Sequence, residues 1–303
     1  MRKPRRVRAP DAAELTLGEM MAMRPAHVGG RLMPGERFPT GMRPGRRRAQ
    51  GSDLDSIGPY TPGDDIRWMD WRATARTGRA QMKRFVAESH IARMLIVDFR
   101  SHLFFGTQMR PMAKTAALLA AQLAWEAFIL QEPVGLIVVP DGIQVRPRRG
   151  RLHVLYLFKH LEDGYREALA RGDTPLANPT LPAGAIDAAS GSLGSGDEIC
   201  LFSDFGDAEA LRDPVRGLIA IRQFRAIIVE DWLFHRPMPA GRYPYQSHQD
   251  DNRNVATIAG GEADAHERVV SELRSELRRR LISDGWRITE VARHGHLIPG
   301  RGR

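Results

Sequence analysis

Ala92-Arg-Met-Leu-Ile-Val-Asp98 is the stretch that decides the fold. It is short, apolar through its centre and ends in an acid. A strand that is apolar at successive positions has to be covered on both faces, which is the signature of a parallel sheet rather than of an open antiparallel one. The same design recurs at Val134-Gly-Leu-Ile-Val-Val139, at Glu198-Ile-Cys-Leu-Phe-Ser-Asp204 and at Phe224-Arg-Ala-Ile-Ile-Val-Glu230. Helical composition fills residues 112–130, 151–171, 207–222 and 264–283, while Ile143 to Val145 reads as an edge strand and Trp286 to Val291 as the last strand. Strands alternating with helices predict an α/β domain, a doubly wound, mostly parallel sheet with helices on both faces. In such sheets function sits at the carboxyl ends of the strands. Asp98 and Asp204 both stand there.

Outward from this core the chain changes character. The 303 residues carry a net charge of +9, and residues 1–50 account for +8 of it. This Arg-, Pro- and Gly-rich stretch reads as a basic, partly disordered arm able to meet nucleic acid, an anionic surface or an acidic protein. Within it, Asp11 to Met23 has the pattern of a short amphipathic helix with Asp11 as its N-cap. Residues 235–263, rich in Pro, Gly, Tyr and Asp, read as a long loop. Ser190-Gly-Ser-Leu-Gly-Ser-Gly196 lacks the Lys-Ser/Thr ending of a phosphate-binding loop and reads as the turn before the strand at Glu198.

No recognised catalytic spacing is present: no His-Glu-x-x-His, no Gly-x-Ser-x-Gly and no cysteine pair. The single cysteine, Cys200, lies inside an apolar strand and reads as a core residue. A basic start without an apolar stretch behind it gives no secretory signal, and the most apolar long segment, Ala113 to Leu130, contains Lys114, Gln122 and Glu126, so it reads as a buried helix. These features predict a cytoplasmic protein that is not an enzyme. In the helix of residues 264–283, Val269, Val270, Leu273, Leu277 and Leu281 form one apolar stripe, read as packing on the sheet, with partner binding as the alternative.

Before the sheet comes Tyr60-Thr-Pro-Gly-Asp-Asp-Ile-Arg-Trp-Met-Asp-Trp-Arg-Ala-Thr-Ala-Arg76, dense in aromatics and opposite charges. Pro62-Gly63 marks a turn. Asp64, Arg67, Asp70 and Arg72 are spaced to pair across a short helix or hairpin. Trp68, Trp71 and Arg72 are residue types that dominate interface hot spots. Trp71, Asp70 and Arg72 are read here as an interior cluster locking residues 51–90 onto the domain of residues 91–303, with Trp68 and Arg76 left open between interior and surface.

This stretch resembles the signature of the DUF58 family at Tyr60, Pro62, Gly63, Asp64, Arg67, Asp70, Trp71, Arg72, Ala75 and Arg76. The strand ending at Asp98, followed by Gly106, Lys114, an Ala/Leu-rich helix and Val134-Gly-Leu, extends the resemblance over roughly residues 43–235. The resemblance implies a von Willebrand factor A-like fold preceded by a small N-terminal segment. It also implies an accessory role beside a MoxR-type AAA+ ATPase, in assembly, metal loading or activation of a client complex such as a methanol dehydrogenase. The alternative is a nucleic-acid binder working through the basic arm.

A-like domains hold Mg²⁺ with an acid and two hydroxyls after the first strand, a loop threonine and a second acid. Here the acid is Asp98, the hydroxyl positions read Arg100 and His102, Thr180 is the candidate threonine and Asp204 the second acid. A guanidinium is a permanent cation and cannot ligate a metal. Arg100 is therefore expected to lie between Asp98 and Asp204 as their counter-charge, with no cofactor. Mg²⁺ at Asp98, Thr180 and Asp204, or a softer ion at His102, is the alternative.

Overall fold

The computed structural model describes residues 14–25, 53–61, 65–86, 91–106, 110–231, 241–247, 250–258, 263–289 and 291. They fall into two compact units, residues 1–31 with 91–303, and residues 32–90.

The larger unit is built on a six-stranded sheet. Its strands are β3 (Arg93–Asp98), β4 (Val134–Val139), β5 (Ile143–Arg148), β6 (Glu198–Ser203), β7 (Gln223–Ile228) and β10 (Trp286–Thr289). Their spatial order is β10-β7-β6-β3-β4-β5. From β3 the chain moves one way through β4 to β5, then returns to the other side of β3 for β6, β7 and β10. The order thus reverses between β3 and β6, the switch point at which doubly wound sheets carry their sites. All neighbouring pairs are parallel except β4 with β5. This is the von Willebrand A-like arrangement expected from the sequence.

The period of two along each strand sends alternate residues to opposite cores. On one face Leu95, Val97, Leu136, Val138, Cys200 and Phe202 pack under α3 (Met112–Ile129) and α4 (Arg151–Arg171). On the other, Met94, Ile96, Ile137, Ile199, Leu201 and Phe224 pack under α5 (Pro182–Ser190) and α6 (Ala208–Leu218), with Leu281 of α7 (Ala263–Ser283). Cys200 is buried, and burial pushes its thiol well above the ordinary range.

A short helix, α1 (Leu17–Ala22), is capped by Thr16, not Asp11, which lies outside the described residues. Thr16 accepts from the Glu19 amide while Glu19 Oε2 accepts from the Thr16 amide, a reciprocal box that fixes where the helix begins. Trp125 Nε1 donates to Met20 O at 3.0 Å, and buried Lys114 pairs with Glu19 at 2.8 Å, so α1 is bound to α3.

β5 is an edge strand with Gln144, Arg146 and Arg148 exposed and Pro147 in its path, features that discourage a further strand from pairing. The β4–β5 register slips at Gly135, where a Cβ would stand 2.7 Å from Val145 O and 2.9 Å from Pro147 N. Gly135→Ala should therefore cost about 1 to 3 kcal/mol of stability, an overpacking penalty against backbone that cannot retreat, read by urea unfolding.

Residues 235–263 contain more than a loop. β8 (Gly241–Ser247) and β9 (Asp250–Ile258) pair as an antiparallel hairpin. Pro244 and the scarcity of β-branched residues hide this from a reading of composition.

In the smaller unit β1 (Asp53–Pro59) and β2 (Gln81–Val86) pair antiparallel. Between them lie a 3-10 turn, Ile66–Trp68, and α2 (Trp71–Thr77). Asp70 caps α2 by accepting from the Ala73 amide at 2.9 Å, and Gly78 ends it at φ 68°. Trp71, expected inside, is 71% exposed, and Arg72 is exposed as well. The α2 register explains this: Ala73 is the buried position, and Trp71 and Arg72 fall on the faces beside it.

Candidate functional site at the carboxyl edge of the sheet

Asp98 closes β3 and is fully buried. The chain leaves it extended, and Arg100 turns back over it. Arg100 Nε donates to both carboxylate oxygens at 3.0 Å, and Nη2 donates to Oδ2 at 2.6 Å. The Arg100 amide donates to Oδ1 at 3.1 Å, and Ser203 Oγ, at the end of β6, donates to Oδ2 at 2.8 Å. The far side of the guanidinium reaches Asp207, with Nη1 donating to Oδ2 at 2.9 Å. Burial works against the Arg100 charge, but its hydrogen bonds to Asp98 and Asp207 outweigh this and hold its pKa above the ordinary value.

The expected counter-charge is thus in place, with one correction. Arg100 bridges Asp98 to Asp207, not to Asp204. Asp204 is taken by His102, whose Nε2 lies 3.4 Å from Oδ2. His102 stands on the short turn Ser101–Phe104, and its bond to Asp204 raises its pKa although burial opposes the charge. Burial alone would raise Asp204, but His102 and the Gly206 amide bring it below its usual value. Beyond Asp204 the backbone bends through Phe205 at φ 60°, uncommon for an aromatic residue. That bend lets the Phe205 amide donate to Ser203 Oγ at 3.3 Å, while its ring packs edge-on to Trp286.

The sign of the His102 effect follows. A raised folded-state pKa gives stability that is fully present below the unfolded value near 6.5 and is lost as pH rises through the folded value. Asp204, with its pKa lowered, contributes above 3.8 and loses this as pH falls further. The pair should be strongest in mildly acidic solution. An NMR titration should place the His102 midpoint above 6.5, and Asp204→Asn should bring it down.

Ligand atoms of Asp98, His102 and Asp204 lie within 4.8 Å of one another, close enough to raise the question of a metal. The donor set answers it. Asp98 already accepts from four donors, the Arg100 amide, Nε and Nη2 and Ser203 Oγ, as many as its lone pairs can take. Thr180 is tied to the turn after β4: its amide donates to Pro140 O at 2.9 Å, and its hydroxyl stands where a Cβ on Gly142 would meet it at 2.7 Å. Among the described residues its hydroxyl makes no hydrogen bond to Asp98 or Asp204. The residues present do not fit a hard divalent ion.

A third strand end repeats the pattern. Glu230, just past β7, is clasped by Arg274 of α7, Nε to Oε1 at 2.7 Å and Nη2 to Oε2 at 2.6 Å. Each acid at these strand ends is matched by a basic side chain from a following segment. Beside them opens a cleft of 210 Å³, lined by Asp204, Glu230 and Arg274 together with the apolar Val270, Leu273 and Leu277. Of the predicted α7 stripe, Leu281 is buried, while Val269 and Leu273 are exposed.

Ser203, Asp207 and the Glu230–Arg274 pair were not singled out by sequence reasoning. Glu230 shared the run-ending-in-acid pattern and could have been found by it. Asp207 carried no signal of its own.

The comparisons with known proteins bear on this edge and on the signature together. Residues 56–229 match the family described as "Protein of unknown function DUF58". The chain belongs to the DUF58 family. Its signature residues lie in the smaller unit: Tyr60, Arg67, Trp68, Trp71, Arg72 and Arg76 are exposed, Asp70 caps α2, and Pro62, Gly63 and Asp64 are outside the described residues. Among the described residues Arg72 makes no ion pair and Arg67 lies 3.9 Å from Asp65 rather than by Asp70, while the predicted pairing of Asp64 falls outside the described residues.

Curated relatives include uncharacterized proteins of Mycobacterium bovis and Mycobacterium tuberculosis, 28% identical over 185 residues and 60% of this chain. The matched part is 56% of their length, so this DUF58 chain spans a little over half of the relatives it matches. Similar solved structures include an aerotolerance-related membrane protein from Bacteroides fragilis, 14% identical at a TM-score of 0.35. Another is BatB from Bacteroides thetaiotaomicron, 15% identical at 0.33. Each alignment covers 62% of this chain and 99% of the other. No helix among the described residues is long and apolar enough to cross a membrane.

Proposed function

We propose that this DUF58 protein is a non-enzymatic accessory protein that grips a partner protein with the carboxyl edge of its sheet. The partner is a MoxR-type AAA+ ATPase, and the pair acts in the cytoplasm on a client complex. The work is its assembly, metal loading or activation, with a methanol dehydrogenase-type enzyme as a candidate client. The observation that carries this reading is the cleft beside the paired acids. Hydrolytic chemistry asks for an acid or base free to exchange a proton with substrate. Here Asp98, Asp204 and Glu230 are each engaged by a basic side chain, while Leu273 stands exposed beside them. A fixed polar rim around an apolar wall suits the side chains of a docking protein. Because Arg100 supplies the cation, docking needs no metal.

The test is capture of the tagged chain from its native cells with ATP present. An AAA+ ATPase should come with it and be lost on Leu273→Glu, a change at an exposed position that leaves folding intact. Recovery of nucleic acid alone, abolished by removing residues 1–50, would overturn the reading in favour of the basic arm.

A further inference from the structure

The smaller unit carries a surface that the reading above does not use. Among its described residues only Ala73 and Met82 are buried. Against that small core it exposes Ile57, Tyr60, Ile66, Trp68 and Trp71, with Ile66 at 64% and Trp71 at 71%. Apolar side chains exposed together in this way mark a surface that gains from being covered.

Among the described residues the charged side chains here that lack an ion pair are mostly basic. Asp65 and Asp70 are both taken up as caps, accepting from the Arg67 and Ala73 amides at 3.1 and 2.9 Å. Arg72, Arg76, Arg79 and Lys83 are exposed and make no ion pair among the described residues. Arg72 and Arg76 lie one turn apart on α2, where like charges repel, and opposing carboxylates would turn that repulsion into attraction. Lys83 stands opposite Ile57 in the β1–β2 register, so cation and apolar group share one face of the ribbon.

We infer that the exposed side of α2, with the turn Ile66–Trp68 before it, is a docking surface for an acidic polypeptide segment that also carries apolar side chains. The guanidinium fork matches carboxylates two bonds at a time, and exposed Trp with Arg is the make-up of an interface hot spot. The aliphatic Ile66 decides against a nucleic acid, whose backbone gives it nothing to bury against. The inference is independent of which ATPase or client the carboxyl edge engages.

The test uses the full chain and a fluorescein-labelled peptide of repeated Glu-Glu-Leu, followed by anisotropy. Labelled oligothymidylate, phosphatidylserine vesicles and a Gln-Gln-Leu peptide are the comparisons. The Glu-Glu-Leu peptide should bind best and weaken with salt. Trp71→Ala, and Arg72→Glu with Arg76→Glu, should each weaken it by about tenfold or more without moving the melting temperature, the effect of one hot-spot residue. Since these positions are exposed, the unchanged melting temperature confirms that folding is intact. Failure of the Glu-Glu-Leu peptide to bind, equal binding of the Gln-Gln-Leu peptide, or no loss in either variant would overturn the inference. So would tighter binding of oligothymidylate or vesicles lost in the same variants, which would reassign the surface to that ligand.

Discussion

Arg100→Ala is expected to lower the unfolding free energy by about 3 to 5 kcal/mol, because it strands a fully buried carboxylate. Asp98 would keep only the Arg100-position amide and Ser203 Oγ in place of the fork that now satisfies it. Removing the other partner should cost less. In Asp98→Asn the guanidinium, partly open to solvent, keeps Asp207 at 2.9 Å. Arg100→Lys should fall between the two, since an ammonium restores the charge but not the bidentate geometry. Urea unfolding of the three variants measures the order directly. Equal small losses for all would mean that the network is incidental to the edge.

Arg93→Ala should cost a similar amount, about 3 to 5 kcal/mol, for the same physical reason at the opposite end of the same strand. Arg93 is buried and lies 2.8 Å from Glu132, 3.4 Å from Glu198 and 3.6 Å from Glu126. One side chain thus ties β3 to β6, to α3 and to the segment entering β4. Without it Glu132 is left buried without this cation, while Glu198 still has Arg225 at 2.8 Å. Glu132→Gln in the Arg93→Ala background should therefore recover much of the loss in urea. No recovery would show that the cost comes from lost packing, not from uncompensated charge.

These two arginines show what could be read in the sequence and what could not. The run from Arg93 to Asp98 announces a covered strand because every position must find apolar company, and that requirement is local. The parallel sheet, with its carboxyl strand ends as the functional edge, followed from four such runs; the strand order did not. That Arg100 cannot ligate a metal was equally plain, since it depends on the side chain's chemistry alone. Its second partner was not legible. Asp207 and Asp204 are three residues apart, and which of them faces the guanidinium depends on the path of the backbone between them, which bends at Phe205, φ 60°. The β8–β9 hairpin escaped because its composition is that of a loop, and strand pairing there is set between segments, not within one. Trp71 was read as interior from the cluster of aromatics and opposite charges around it, although Ala73 two positions on is the residue that α2 buries.

The central claim is that a guanidinium holds the place at the carboxyl edge where an A-like domain would bring a divalent ion. Melting temperatures of the wild-type chain and of Arg100→Ala, each titrated with Mn²⁺ and with Zn²⁺, test it most directly. The account predicts no shift for the wild type and a rise for Arg100→Ala, whose freed Asp98 lies beside His102 and Asp204. A saturating rise in the wild type, abolished by His102→Ala, would contradict it and make Asp98, His102 and Asp204 a metal site after all.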